Sequence, residues 1–541
     1  MKHFFFFFLI SIAPLCHARQ LFVGILEADS YNDVKLSISA LAGVTRIKDL
    51  NSFCDVHGAK LTGLPVMRGF EADKRIRIIQ TIDPEKPLSE INPANTAIFV
   101  TRDGGQTIKN MLEKNYRNHR YWRSGIRIYD KPLTTNLAAE VAYMQESKYI
   151  LTSRNRNAML WMLQNSKLLN AAPLKQQATL KLLLNPQRAA AVLETKADTR
   201  ILKLFKPAEI MQELEKCLIG VNIDPQVLTV NAEIRPLTGT PVASLIESMS
   251  KTETTPRDIS PPDSLIQSIT CNNSPEIWDR FAPNMQNYLL PALKTFNHED
   301  LFTGQRIQYS APKGKDLVFV QADDIKNKTN VIATINSLEN AMPSESVIGL
   351  QRVNPDPEKD LVRYKFILKE KAETKSQNTV YYTIASLLLQ RAYLEMKVVD
   401  NTLISVIGPE NSLQDVTARL KRKEKDMTLL KEISARNNQL SEKIICGTKF
   451  RVSQALRETI SVIPNVTREQ LAILPEPGYG ITVGLEKPEN GTLKASMQIY
   501  ADEIAALNHI GDDVRKLMQK IMVSMLMKSI EDTDVKQDAK K

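Results

Sequence analysis

Alternating hydrophobic and polar positions predict short paired strands, each pair followed by a helix. In the first half, the apolar run 96–100 predicts a buried strand, and a helix follows it through Ile108 and Met111. Residues 140–154 predict a strand–turn–strand, with a helix over 158–164. Residues 220–234 predict a further hairpin, which is followed by a helix over 242–248.

The second half repeats this order of elements. A strand over 317–320 precedes a helix that begins near Ile325, and we expect Asp323 and Asp324 to cap that helix. The later elements are a hairpin over 395–407, a helix over 412–420, a hairpin over 484–499 and a C-terminal helix over 504–530. A helix over 379–393 has no counterpart in the first half and fits an insertion.

Matching positions in the two halves lie at a growing separation along the chain. Asp103 and Asp323 are 220 residues apart, Ile150 and Ile404 are 254 apart, and Leu228 and Leu493 are 265 apart. We therefore predict an α+β fold of two related lobes, each with mainly antiparallel hairpins covered by helices. Coincidence is the alternative, because a hairpin followed by a helix is a common unit.

Ser, Thr and Pro are concentrated between residues 248 and 263, where no apolar periodicity is present, and this composition predicts a linker. The predicted organisation is a signal peptide (1–18), an N-terminal α+β lobe (19–250), a linker (251–264), a C-terminal α+β lobe with a long C-terminal helix (265–530) and a charged tail (531–541).

The first residues have the pattern of a signal peptide, with Lys2 followed by the apolar run 4–15. A dozen apolar residues are too few for a membrane-spanning helix, which needs roughly 20. Small side chains at Cys16 and Ala18 predict cleavage after Ala18 and a periplasmic or secreted protein. A lipoprotein anchored at Cys16 and a buried strand are the alternatives. We expect no integral membrane protein after cleavage.

The composition fits a folded protein of several domains, with 541 residues, 43% hydrophobic and 24% charged. Twenty Gly and 27 Pro exclude a collagen-like or low-complexity chain. The net charge of +10 permits attraction to anionic polymers without requiring it.

Four cysteines follow the signal peptide: Cys54, Cys217, Cys271 and Cys446. An even number in an exported protein allows two disulfides. Because Cys54 and Cys271 are 217 residues apart, close to the 220 of the neighbouring matched positions, we predict one disulfide per lobe, Cys54–Cys217 and Cys271–Cys446. Four buried, reduced thiols are the alternative.

Known catalytic and metal-binding patterns are missing from the sequence, including G-x-S-x-G, H-E-x-x-H and C-x-x-C. One S-x-x-K run, Ser310 to Lys313, contains Pro312 and lacks the S-D-N and K-T-G elements that its hydrolase role requires, so we interpret it as chance. We expect no cofactor and no metal.

One segment combines basic and aromatic side chains that could hold an anionic ligand by charge and stacking. Its candidate residues are Lys114, Arg117, Arg120, Tyr121, Trp122, Arg123 and Arg127. On a helix, the basic residues from 114 to 123 would fan over about half of the circumference. The competing interpretation is a helix end with basic residues that complement its dipole, followed by a hairpin strand.

Together these features favour a non-catalytic binding or scaffold protein of a bacterial envelope. Its expected partner is an anionic envelope polymer or another envelope protein, and no specific nucleic acid is expected. The alternative is a secreted hydrolase whose catalytic carboxylates or serine are dispersed along the chain.

Overall fold

A computed structural model describes residues 20–50, 52–83, 93–195, 207–251, 259–261, 263–271, 301–314, 316–338, 348–353, 361–368, 391–422, 429–437, 440–441, 443–461, 466–508, 513, 515–517 and 519–520. These residues form helices and antiparallel strand pairs, so the fold is mixed α+β, as predicted. The predicted signal peptide, the charged tail and the helix over 379–393 up to residue 390 lie outside them.

The described residues form two compact units. The first comprises the residues up to Lys251 together with Lys487–Ala501, and the second comprises the residues from 259 to Glu486 and from Asp502 onward. The division near Lys251 lies at the start of the predicted linker. Part of that linker is packed, because Ile259 and Leu265 are buried.

The first unit is built on an antiparallel sheet, whose strands are β1 (Leu21–Ala28), β2 (Ile76–Ile82), β3 (Ala94–Val100), β4 (Tyr116–Tyr121), β5 (Arg127–Pro132), β6 (Glu140–Glu146), β7 (Tyr149–Ser153), β8 (Leu180–Leu184), β9 (Leu214–Ile223), β10 (Val227–Pro236) and β20 (Leu493–Tyr500). Across the sheet the strands neighbour one another in the order β4-β5-β6-β7-β3-β2-β1-β8-β9-β10-β20.

The second unit is also built on an antiparallel sheet, whose strands are β11 (Ile266–Thr270), β12 (Phe302–Lys313), β13 (Asp316–Ile325), β14 (Ile348–Arg352), β15 (Leu361–Leu368), β16 (Tyr393–Val399), β17 (Thr402–Gly408), β18 (Ile444–Phe450) and β19 (Ile481–Glu486). The neighbour order is β14-β15-β16-β17-β13-β12-β11-β18-β19. Adding ten to the numbers of β4 through β9 in the first unit reproduces it.

Helices connect the strands at matching places in the two units. The helices of the first unit are α1 (Tyr31–Thr45), α2 (Phe53–Thr62), α3 (Gln106–Asn115), α4 (Arg156–Gln164), α5 (Pro186–Thr195), α6 (Pro207–Gln212) and α7 (Pro241–Ser250). Those of the second are α8 (Lys328–Asn336), α9 (Ser412–Arg422), α10 (Leu429–Arg436), α11 (Val452–Ser461) and α12 (Arg468–Leu471), and residues 502–508 are also helical.

The core of the first unit lies where α4 packs on the sheet. Met159 and Met162 of α4 contact a buried cluster that includes Ile25, Ile79 and Leu151 from β1, β2 and β7. Side chains from alternate positions of β1 reach the other face of the sheet, because successive residues of a strand point in opposite directions. Both faces of β1 are consequently buried.

Helix starts are capped partly by local side chains and partly by distant carboxylates. Asn155 caps α4 by accepting hydrogen bonds from the backbone N–H groups of the next turn. Glu213 accepts one from Val242 in α7 at 2.9 Å, and Glu395 accepts one from Leu413 in α9 at 2.9 Å. Such contacts fix the helices to the sheets by charge-assisted hydrogen bonds.

The prediction that Asp323 and Asp324 cap a helix is wrong. Both residues lie in β13, which continues to Ile325, and α8 begins only at Lys328 with Asn327 as its cap. Asp323 is instead buried against the guanidinium of Arg306, at 2.5 Å. The alternation that would have marked a longer strand is masked in the sequence, because an ion pair occupies an interior position.

The described helices are all too short or too polar to cross a lipid bilayer. Of the long helix predicted over 504–530, residues 504–508 are helical, and most of the remainder lies outside the described residues.

Candidate functional site

The basic–aromatic segment (residues 114–127) does not form one helix. Helix α3 ends at Asn115, and β4 begins at the next residue, Tyr116. The helical fan of residues 114, 117, 120 and 123 is therefore wrong, and the competing interpretation of a helix end followed by a strand describes the backbone. In β4, Arg117 and Arg120 point to opposite faces of the sheet because they are three residues apart.

Five consecutive residues of β4, from Arg117 to Tyr121, are exposed. Arg120 lies 3.6 Å from Asp130 of β5, and Arg127 lies 3.0 Å from Glu113. Both of these pairs are at least partly exposed to solvent, so each contributes little to stability. Their role is to orient the basic side chains along the strand.

The aromatic members of the segment contact arginines. The guanidinium carbon of Arg127 lies 4.7 Å from the centre of the Tyr121 ring, and it also donates a hydrogen bond to the Tyr121 hydroxyl. Arg156 of α4 lies 5.6 Å from the centre of the Trp122 ring. Tyr121 remains 71% exposed, so its outer ring face can stack on a ligand.

A cavity of about 90 Å³ lies in the first unit between the sheet and helices α1 and α2. Its lining is apolar and includes side chains of both helices and of β1, β2 and β8, among them Leu26, Tyr31, Val34, Phe53, Cys54 and His57. A volume of this size fits a small apolar group, and apolar cavities of similar size remain free of water.

Ionisable groups beside this cavity are not activated for catalysis. Burial, and then the carboxylate of Asp55, raises the pKa of the Cys54 thiol to about 11, so the nucleophilic thiolate is scarce at neutral pH. Burial, and then the Lys60 charge, lowers the pKa of His57 below its ordinary 6.5. Asp55 itself accepts hydrogen bonds from Tyr31 and Lys35, each at 2.8 Å.

The buried carboxylates of the described residues are engaged in structural contacts. Glu27 accepts hydrogen bonds from Arg77 at 2.6 and 2.9 Å and from the backbone N–H of Leu174 at 2.9 Å. Glu395 accepts from Arg363 at 2.9 Å. Glu503 accepts from the backbone and the hydroxyl of Ser453, at the start of α11.

A second basic–aromatic cluster lies in the second unit. The Lys449 ammonium and the Arg436 guanidinium lie 3.9 and 4.1 Å from the centre of the Tyr479 ring. Lys449 also donates a hydrogen bond to Glu432 at 2.9 Å, and burial, opposed by this carboxylate, lowers its pKa. The aromatic ring and the carboxylate together hold a buried ammonium, which is a structural role.

The four cysteines are thiols in this structure. Cys54 lies on α2 and Cys217 on β9, and burial raises the pKa of each thiol to about 11. Cys446 lies on β18 and pairs with Thr270 across the β11–β18 ladder, and Cys271 is the residue after Thr270. The one-disulfide-per-lobe pairing stays a prediction.

Ser310 and Lys313 lie in β12, not on a helical turn, so they project to opposite faces. The Lys313 ammonium pairs with Asp415 at 2.8 Å. In the described ranges, no three His, Cys, Asp or Glu side chains lie close enough together to hold a metal ion.

Comparison with known proteins gives no relative. No family model matches the chain, and neither a curated protein nor a solved structure matches it.

Proposed function

We propose that the protein is a non-catalytic binding or scaffold component of a bacterial envelope, built from two copies of one α+β lobe and exported by a signal peptide cleaved after Ala18. The observation that carries the proposal is the repeated neighbour order of the strands in the two units. A duplicated lobe supplies two similar rigid frames, and function then resides in side chains grafted onto them.

Ladder registers support the duplication at the level of residues. Phe99 pairs with Ile150 in the first unit, and Ala322 pairs with Ile404 in the second. If Ile150 and Ile404 are counterparts, the counterpart of Phe99 is Ala322, which is also buried, and not Phe319, which is 44% exposed. The separation of 220 residues inferred for this strand then becomes 223.

The absence of activated groups among the described side chains supports a binding role over hydrolysis. Hydrolysis needs two carboxylates, or a nucleophile and a base, that converge on a cleft. The buried carboxylates Glu27, Glu395 and Glu503 are bound to arginine or to backbone N–H groups, and burial raises the pKa of the Cys54 and Cys217 thiols.

The test is a sedimentation assay of the mature chain with anionic envelope polysaccharides and with peptidoglycan, followed by analysis of the supernatant for released fragments. We expect retention that weakens steeply with salt, because each neutralised anion releases counterions. No fragment should be released. Enzymatic turnover of either polymer would contradict the proposal and would support the hydrolase.

A second measurement addresses export. Mass spectrometry of the protein recovered from the periplasm or medium should give an N-terminus of Arg19-Gln20-Leu21. An intact Met1 on cytoplasmic protein would contradict the localisation.

A further inference from the structure

Strand β4 has a neighbour on one side within the described sheet. It pairs with β5, and no other described strand forms a ladder with it. An outer strand leaves backbone N–H and C=O groups directed away from the sheet, and an extended peptide can add to such an edge. Six residues, Tyr116–Tyr121, are long enough for a typical strand pair.

This edge carries an excess of positive charge. Arg117 and Arg120 lie in the strand, Lys114 precedes it and Arg123 follows it, and all four side chains are exposed. Asp130 lies close to Arg120, at 3.6 Å. Arg117 and Arg123 form no ion pair with any side chain of the described ranges.

The corresponding strand of the second unit provides an internal comparison. Strand β14 pairs with β15 just as β4 pairs with β5. In β14, however, Gly349 and Leu350 are buried, and Arg352 donates a hydrogen bond to Asn336 at 2.8 Å. A basic and fully exposed row is therefore not required by this position in the fold, and it distinguishes β4.

Charge selects the partner. A second copy of β4 would place arginines opposite arginines, which is unfavourable on adjacent strands. Glycans, lipid headgroups and nucleic acids can satisfy the charges but offer no backbone ladder for the open edge. An acidic polypeptide satisfies both the charges and the backbone groups.

We infer that β4 binds an extended acidic segment of a protein partner as an added strand, and this inference rests on the proposed binding function. Backbone hydrogen bonds supply the ladder, and carboxylates at alternate positions pair with the exposed basic side chains on one face. Tyr121, at the end of the strand, offers a ring face for an additional side-chain contact.

The probe is a synthetic peptide of about ten residues in which Glu and Val alternate, a pattern that favours an extended strand. Three further peptides isolate the contributions: one with Lys in place of Glu, one with N-methylated amides at alternate residues, and one with the same composition in an order that contains Pro. Binding to the mature full-length chain is measured by fluorescence anisotropy at low and high salt.

The variant is Arg117→Gln, Arg120→Gln and Arg123→Gln combined. Its matched control, Lys74→Gln, Arg188→Gln and Lys216→Gln, removes the same charge from exposed positions of the same unit away from β4. We expect the β4 variant to bind the acidic peptide about tenfold more weakly, since each exposed pair contributes a fraction of 1 kcal/mol. The control should bind as the unchanged chain does, and both variants should keep its thermal unfolding midpoint.

Three outcomes decide the matter. Loss of binding on N-methylation and in the β4 variant supports strand addition. Equal binding of the N-methylated peptide, or preferential binding of anionic vesicles or polysaccharide through the same arginines, overturns strand addition but leaves the proposed binding function in place. Equal loss in the matched control, or no binding of the acidic peptide, overturns the inference.

Discussion

Ser496 donates a 2.6 Å hydrogen bond from its hydroxyl to the side-chain oxygen of Asn231, and these residues lie opposite each other in the β10–β20 ladder. They are 265 residues apart, the separation that also relates Leu228 to Leu493 and Ile234 to Ile499. The ladder pairs these residues crosswise, Leu228 with Ile499 and Ile234 with Leu493. Such crosswise pairing is the pattern of an isologous interface between two equal copies, here within one chain.

The first prediction concerns this buried hydrogen bond. Ser496→Ala should lower the free energy of unfolding by about 1–3 kcal/mol, because the buried Asn231 oxygen loses its partner. Asn231→Ala should do the same, and the double variant should lose less than the sum, as expected for residues in contact.

Urea denaturation of the four chains measures this coupling. Ser244→Ala, on the exposed face of α7, serves as the control and should leave stability within about 0.5 kcal/mol of the original. Strict additivity of the two β10–β20 substitutions would show that the hydrogen bond does not form.

The second prediction concerns the buried ion pair of Glu27 and Arg77. Arg77→Met should lower the free energy of unfolding by about 3–5 kcal/mol, because Glu27 would remain as a buried charge without its main partner. Arg77 also donates to the carbonyls of Leu168 and Ala172, so the loop from 168 to 174 should become more exposed to proteolysis.

The double variant Glu27→Met and Arg77→Met should recover much of this loss, since no unpaired buried charge remains. Arg235→Met, which breaks the exposed pair with Glu215, is the matched control and should cost about 1 kcal/mol or less. Chemical denaturation followed by circular dichroism distinguishes these cases. An Arg77→Met loss no larger than that of the control would contradict the buried pair.

The third prediction concerns pH and the thiol of Cys217. Burial raises its pKa from 9.0 to about 11, so the folded chain keeps a proton that the unfolded chain has released in this range. Stability from this thiol is therefore complete below pH 9 and is lost as pH rises through 11.

In Cys217→Ala, the free energy of unfolding should fall with pH less steeply over this interval, by up to about 1.4 kcal/mol per pH unit. Leu218→Ala, at the adjacent buried position of β9, should lower stability without changing this slope. Identical slopes for the Cys217 variant and the original chain would mean that the thiol titrates normally.

The fourth prediction compares two glycines. Gly58 lies inside α2, and an added Cβ would meet only the flexible Met67 side chain, at 3.0–3.2 Å. Gly58→Ala should therefore change stability by a gain of about 0.5–1 kcal/mol from helix propensity, reduced by the shift of Met67.

Gly480→Ala should have the opposite sign. Gly480 has a φ of +112°, and its added Cβ would collide with the backbone carbonyl of Phe450. Thermal unfolding of both variants measures the contrast. A destabilisation by Gly58→Ala equal to that of Gly480→Ala would contradict the placement of α2 beside Met67.

Local elements were predicted well where a short period is undisturbed. The hairpin β6–β7 and helix α4 lie within two residues of their predicted bounds, since alternation and helical spacing are properties of adjacent residues. Strand β4 was missed, because its side chains are polar on both faces and its basic residues recur at steps of three. The only usable signal was Tyr116, the one buried residue of that strand.

Asp323 illustrates a different limit. A carboxylate just before an apolar helical pattern is typical of a cap, and Asp103 does accept hydrogen bonds from Gly105 and Thr107. Asp323 looks the same in sequence but pairs with Arg306, which is 17 residues earlier and becomes adjacent only when β12 and β13 pair.

By itself, the sequence determined the mixed α+β class, the hairpins and most helix positions, because those depend on periodicity and capping over a few residues. Tertiary structure alone decided that β20 completes the sheet of the first unit through Asn231 and Ser496, and that Glu27, Glu395 and Glu503 serve as buried partners. These contacts join residues from 32 to 265 positions apart, and a backbone ladder or a buried charge pair leaves no local period in the chain.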